Sequence, residues 1–79
     1  MEKDGFKFVL RHSYNPEVYD ILKDDKIIAV LKTQYGLIVV NRYDSDEVLF
    51  NLQLDDEFIG AIPYDMTDDI IDAIIEKLK

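Results

Sequence analysis

The sequence predicts an α+β domain: an antiparallel sheet of five or six short strands, open or curled toward a half-barrel, with one C-terminal amphipathic helix packed on it. Three observations lead to this fold class. Short runs alternate with the period of a strand, and the last apolar residues repeat with the period of a helix. With 79 residues the chain has room for one core, so we expect residues 1–79 to form a single domain.

The N-terminal third is predicted to hold two strands. In residues 6–11 an apolar side chain occupies every even position and the other face is mixed, which is the pattern of a first strand. Residues 18–23 have two interpretations, because Asn15-Pro16-Glu17 suits a helix start whereas Asp24-Asp25 suits a compact hairpin turn. Of the two, we favour the strand.

The middle of the chain is predicted to form a hairpin followed by one more strand. Residues 27–31 and 37–40 are rich in β-branched side chains, and Gln34-Tyr35-Gly36 between them suits a hairpin turn. Residues 48–54 show the clearest alternation in the chain and lie between two acidic runs. All three segments are therefore expected in the same antiparallel sheet.

The C-terminal part is predicted to contain a last short strand and the one helix. Residues 58–62 suit a strand that Pro63 would end, because proline cannot donate to a ladder. Apolar residues then recur with helical spacing at Ile70, Ile71, Ile74, Ile75 and Leu78. Thr67 or Asp65 is the expected N-cap of this helix.

The two central strands, residues 27–31 and 37–40, are apolar on both faces, which raises a packing problem. We expect one face to carry Ile28, Val30, Ile38 and Val40. A helix of about twelve residues is only ~18 Å long and covers one face of the sheet. The other face needs a cover, so we predict a homodimer, with a sheet curled around its own core as the alternative.

Composition points to a reducing compartment. The chain has no cysteine, so no disulfide framework or thiolate metal site is available to it. Its first residues mix charges and lack the apolar run of an export signal, and no apolar run approaches the ~20 residues that span a bilayer. We therefore predict a cytoplasmic protein with no membrane partner.

The negative charge is concentrated in the C-terminal half. Through Tyr43 there are seven Lys or Arg against six Asp or Glu, whereas from Asp44 onward eleven acids face only two lysines. The formal net charge of the whole chain is −8. Such a field repels nucleic acid and attracts basic protein surfaces or cations.

Motifs for catalysis or for a bound cofactor are not found in the sequence. His12 and Ser13 are adjacent, and because neighbours in a strand point to opposite faces, they do not make a nucleophile and base pair. The calcium-loop start at Asp44-Ser45-Asp46 fails because Val48 and Leu49 follow where an oxygen ligand and glycine are needed. The DDxxD spacing of Asp68-Asp69-Ile70-Ile71-Asp72 fits helix capping better than magnesium binding. We predict no enzyme activity, no cofactor and no metal.

The acidic side chains are the predicted partner-binding residues. On the C-terminal helix, acids recur on the side away from the isoleucines, although like charges three and four residues apart cost a few tenths of a kcal/mol each. Carboxylates in such an array can occupy a groove of Lys and Arg that normally holds phosphates. The predicted set is Asp44, Asp46, Glu47, Asp55, Asp56, Glu57, Asp65, Asp68, Asp69, Asp72 and Glu76.

We therefore predict a small acidic, non-enzymatic interaction module that docks on a basic, nucleic-acid-binding protein surface as a nucleic-acid mimic. In size and acidity the chain resembles the phage and mobile-element proteins that inhibit host nucleic-acid-binding enzymes, without a motif that carries the resemblance. The alternative is a homo-oligomeric structural or small-ligand-binding domain that uses its apolar sheet face. Acids that serve solubility alone are the simplest competing interpretation.

Overall fold

A computed structural model describes residues 1–57 and 59–79. Six strands form one antiparallel sheet in chain order, and its two outer strands do not pair, so the sheet is open. The strands are β1 (Glu2–Lys3), β2 (Phe6–Ser13), β3 (Glu17–Lys23), β4 (Lys26–Gln34), β5 (Leu37–Arg42) and β6 (Val48–Gln53). A 3₁₀ turn, Tyr64–Met66, leads into the helix α1, Thr67–Leu78. The predicted α+β class is confirmed.

Three two-residue turns fix the hairpins. Both central residues have positive φ in Asp4-Gly5, Asp24-Asp25 and Tyr35-Gly36, which is the signature of the type I′ turn. This turn matches the twist of the flanking strands, so each one sets the register of the pair that it joins. The turn at Asp24-Asp25 explains why residues 18–23 form part of β3, as we favoured, and not a helix.

Register decides which side chains face the helix. Because the β4–β5 turn has two residues, Leu31 lies opposite Val40, whereas Val30 lies opposite Asn41 on the other face. The expected grouping of Val30 with Val40 is therefore wrong. Ile28 does contact the core side, since a bulge shifts the β3–β4 register next to it.

The core lies between the inner sheet face and α1. The four isoleucines of the helix are buried against side chains from β2 to β5, as the helical spacing predicted. The buried apolar residues are Phe6, Phe8, Ile21, Ala29, Leu31, Ile38, Val40, Leu54, Ile70, Ile71, Ile74 and Ile75. Neither helical segment of the described chain is long and apolar enough to cross a membrane.

The predicted strand at residues 58–62 is not formed by residues 59–62, and Phe58 lies outside the described residues. This segment crosses the end of the sheet, and its carbonyl groups accept hydrogen bonds from turn residues. The Ile59 carbonyl accepts from Gly36 N at 2.6 Å, and the Gly60 carbonyl accepts from Asn15 N and Glu17 N, each at 2.9 Å. These bonds to two separate turns replace the ladder that a strand would need.

The helix begins without a side-chain cap, so the predicted capping role of Thr67 or Asp65 is wrong. Met66 occupies the N-cap position, and no side chain of the described residues caps the first helical N–H groups. The preceding 3₁₀ turn explains the difference: Met66 N already donates to the Pro63 carbonyl at 3.0 Å. The Thr67 hydroxyl donates to that same carbonyl at 3.1 Å.

Two glycines allow a matched test of the contact between the β4–β5 turn and the loop after β6. Gly36 and Gly5 have similar φ values, +76° and +84°, but a Cβ on Gly36 would lie 2.5 Å from the Asp56 carbonyl oxygen, whereas one on Gly5 would contact nothing. We expect Gly5→Ala to cost about 1 kcal/mol of unfolding free energy, from backbone strain alone. Gly36→Ala should cost at least ~1–2 kcal/mol more, because backbone must move. Urea denaturation measures both, and equal costs would show that the loop yields freely.

Candidate interaction surface

The outer side of α1 carries a row of exposed carboxylates. Asp65, Asp68, Asp69, Asp72 and Glu76 are all exposed, as expected; Asp65 lies in the 3₁₀ turn, and helical geometry places the four acids of α1 within an arc of about 100°. These four span ~12 Å of helix, which is about one negative charge per 4 Å. One DNA strand carries one charge per ~3.4 Å, so the linear charge density is similar. We call these five residues the helix row.

One member of the helix row is tied to the sheet. Asp72 forms an ion pair with Lys3 of β1, and this hydrogen bond is the main cause that raises the pKa of the Lys3 ammonium. Lys79, which follows α1, lies 3.9 Å from Asp4, so a second ion pair joins the end of the helix to the β1–β2 hairpin. Among the described residues, Asp69 and Glu76 have no ion pair or hydrogen-bond partner. These two carboxylates are therefore available to a partner.

The remaining predicted residues form two separate clusters at opposite ends of β6. Asp44, Asp46 and Glu47 lie in the β5–β6 loop, and Asp55, Asp56 and Glu57 follow β6; all six are exposed. A six-residue strand separates the clusters by ~20 Å. The structure thus distributes the predicted acids over three places, the helix row and these two end clusters.

Within the first end cluster, one acid has a cation beside it. Arg42 Nε donates to Glu47 Oε1 at 2.8 Å, and this bond is the main cause that lowers the pKa of the Glu47 carboxyl. Glu47 N also donates to Ser45 Oγ at 3.0 Å. The Arg42–Glu47 ion pair joins the two ends of the β5–β6 loop but leaves Asp44 and Asp46 exposed.

Between the two end clusters, β6 forms an edge of the sheet that lacks the usual protection. Its sequence, VLFNLQ, contains no charged residue and no proline, and within the described part of the chain it pairs only with β5. Edge strands of natural proteins are normally kept from pairing by charges, proline or short length. The opposite edge has that protection, because β1 is two residues long and both of them are charged.

A hollow lies beside β6 on the helix side of the sheet. It has a volume of about 350 Å³, and apolar side chains from the strand, the following loop and the start of the helix line most of it. The lining residues are Leu52, Gln53, Leu54, Asp55, Asp56, Ile59, Pro63 and Met66. Tyr64, beside it in sequence, is almost fully exposed. Sequence reasoning missed this hollow, since its walls come from residues up to fourteen positions apart; the one available signal was a charge-free strand between two acidic runs.

The sheet face opposite α1 is uncovered and has a different character. A groove of about 400 Å³ runs over β4, β5 and β6, and no carboxylate lines it. Its lining residues are Lys32, Gln34, Tyr35, Leu37, Val39, Asn41 and Gln53. Tyr35 is 64% exposed and adopts a φ of +53°, a conformation that costs about 1–2 kcal/mol for a side chain of this size.

The open face also gathers several of the cations. Lys7, Arg11 and Lys32 lie on it; of its acids, Glu2 is opposite Lys7, and Asp20 is buried and bonded to Arg11 at 3.3 Å. The molecule is therefore polarised, with carboxylates along α1 and weak positive charge on the open face. This face is amphipathic, and not the mainly apolar surface that the sequence predicted.

The single histidine has a structural contact. His12 Nδ1 donates to the Pro16 carbonyl at 2.7 Å, and the ring is exposed at the end of β2. Within the described residues, no three acidic or histidine side chains are grouped so as to hold a metal ion. Comparison with protein-family models, curated proteins and solved structures finds no match to this chain.

Proposed function

We propose that this chain is a non-enzymatic interaction module that docks through its carboxylates on a basic, nucleic-acid-binding protein surface. The observation that carries the proposal is the helix row: five exposed acids, four of them in one arc of α1 at a linear charge density close to that of a single nucleic-acid strand. A groove of Lys and Arg built for phosphates offers carboxylates the same charge-assisted hydrogen bonds. The chain then acts as a nucleic-acid mimic and inhibits its partner by occupying that groove.

Stability does not account for the helix row. Only the first turn of α1, with Asp68 and Asp69, gains from the helix dipole, and Lys3 is the one cation that interacts with the helix row among the described residues, through its ion pair with Asp72 and its attraction to Asp68. Glu76 lies in the third turn, where the dipole no longer favours an acid. Carboxylates that repel one another and contribute nothing to the core are better explained by binding to a partner.

The setting that we propose is the cytoplasm, in the manner of small phage and mobile-element inhibitors. The chain contains no cysteine, which suits a reducing compartment. Its net charge of −8 supports binding to a basic protein and works against direct binding to nucleic acid or to anionic lipid.

A capture experiment tests this function. The immobilised chain should retain a basic nucleic-acid-binding protein from a bacterial lysate, and release should follow both raised salt and added single-stranded DNA, since each competes for the same cations. The release by DNA is the specific result. A retained protein that salt elutes but DNA does not would contradict mimicry, and retention that salt does not affect would contradict an acidic interface altogether.

The open face supports a second candidate, a homodimer or a small-ligand site. The groove under Tyr35 combines three amide side chains, Lys32 and two aliphatic side chains, a lining that suits a small anionic or amide-containing molecule. Light scattering coupled to gel filtration decides the assembly, because a dimer would have a measured mass near twice the 9.2 kDa of the chain. If the chain is a monomer and no compound of a small-molecule library binds in the groove, this second candidate function is excluded.

A further inference from the structure

We propose that β6 receives an extended segment of the partner protein as a seventh strand, and that this segment has an apolar centre with Lys or Arg at both ends. The inference deepens the proposed function, on which it rests, by naming the partner structure that binds between the two end clusters. Its basis is the coincidence of an unprotected edge, a hollow and two acidic ends on the same strand.

The first element is a set of free backbone groups. Leu54 N donates to the Gly36 carbonyl at 2.7 Å, and the register pairs Leu52 with Ile38 and Phe50 with Val40. In an antiparallel ladder the bonded direction alternates, so the N–H and C=O groups of Asn51 and Gln53 point away from β5. Among the described residues, none of these outward groups has a backbone partner. A bulge lies at the start of β6, which leaves the segment from Phe50 onward regular.

The second element is a place for a side chain. A strand added beside β6 projects every second side chain toward the helix side of the sheet. The hollow is there, with Leu52, Ile59, Pro63 and Met66 in its apolar wall. Strand addition typically takes affinity from main-chain hydrogen bonds and specificity from such side-chain pockets. The centre of the added segment should therefore be apolar.

The third element is charge, which decides whether the added strand comes from a second copy of this chain or from a different protein. Two copies paired through β6 about a two-fold axis would run antiparallel, so Asp44 and Asp46 of one copy would lie beside Asp55 and Glu57 of the other. Both ends of such an interface would gather acids, and like charges in contact oppose assembly. A segment with Lys or Arg at each end reverses the sign of the interaction. The occupant is therefore a basic-flanked strand of another protein.

Two peptides of equal charge test the inference. KKVTVTVKK can extend along β6, whereas KKVPVPVKK has the same lysines but lacks two of the N–H groups that pairing needs. We expect the first to bind at least about tenfold more tightly by isothermal titration. We also expect the amide hydrogens of Asn51 and Gln53 to exchange more slowly in its presence.

Variants of β6 supply the matched control. Asn51→Pro removes one outward N–H and should abolish the preference between the two peptides, whereas Asn51→Thr retains that N–H and should preserve it. Should the proline variant fail to fold, Met66→Lys places a cation in the hollow and should weaken KKVTVTVKK by about tenfold.

The outcomes separate this inference from the proposed function. Equal affinity for the two peptides would show electrostatic attraction alone, which overturns strand addition but leaves the acidic interface intact. Absence of binding to either peptide overturns the β6 site, while the capture experiment with its DNA release still tests the helix row. If KKVPVPVKK slows the exchange of the Asn51 amide hydrogen as much as KKVTVTVKK does, strand pairing is likewise contradicted.

Discussion

Replacing Ile74 by aspartate is expected to unfold the domain. Ile74 has no exposed surface and lies at the centre of the contact between α1 and the sheet. The substitution removes a large apolar side chain, which costs about 2–5 kcal/mol, and buries a carboxylate among apolar side chains. A domain of this size has about 5 kcal/mol of stability to lose. Circular dichroism should show loss of a cooperative thermal transition.

The neighbouring residue provides the control for that experiment. Ala73 precedes Ile74 in α1 but is exposed, so Ala73→Asp adds the same charge to the same helix without entering the core. We expect its unfolding free energy to stay within about 0.5–1 kcal/mol of the unchanged chain. A folded Ile74→Asp variant would mean that α1 is not required to cover the inner face.

Reversing charge on the helix row is expected to abolish binding to a basic partner. The most informative variant changes Asp65, Asp69 and Glu76 together to lysine, and leaves Asp72 in place because it bonds to Lys3. All three positions are exposed, so the fold should remain intact. Attraction to a Lys and Arg groove would become repulsion, and affinity for a captured protein should fall at least about a hundredfold.

Neutralising variants show whether the position of the acids matters or only their number. Asp65→Asn, Asp69→Asn and Glu76→Gln remove three charges from the helix row; Glu2→Gln, Asp24→Asn and Asp25→Asn remove three elsewhere, and asparagine tolerates the positive φ of the turn. Surface plasmon resonance should give a loss of about tenfold for the first set and less than about threefold for the second. Equal losses of affinity for the two sets would indicate that the helix row serves solubility alone.

Local signals in the sequence were sufficient for most of the fold. Turn chemistry at Asp24-Asp25 and Tyr35-Gly36 and the helical repeat of isoleucines each act over a few residues, and each feature was found where it was expected. Residues 59–62 were misjudged because their partners, at Asn15 and Gly36, lie far away in sequence. Alternation alone does not show whether a backbone pairs with a strand or with turns.

The candidate site was only partly predictable for the same reason. Exposure of the acids follows from their position opposite the isoleucines of α1, and this was expected. The bond between Asp72 and Lys3 joins residues at opposite ends of the chain, and the hollow beside β6 needs the loop to fold back toward Met66. Neither contact leaves a periodic trace in the sequence.

The order of the strands has a consequence for how the chain folds. Each of the six described strands pairs with its neighbours in sequence, so the sheet can form hairpin by hairpin with short loop closures. The helix follows all six strands, so its isoleucines are synthesised after every strand of the sheet. Until these isoleucines dock, Phe8, Leu31 and Val40 belong to an apolar surface that is exposed to solvent. The helix therefore acts as the closing step of folding, and a chaperone that binds apolar strands would compete with it during synthesis.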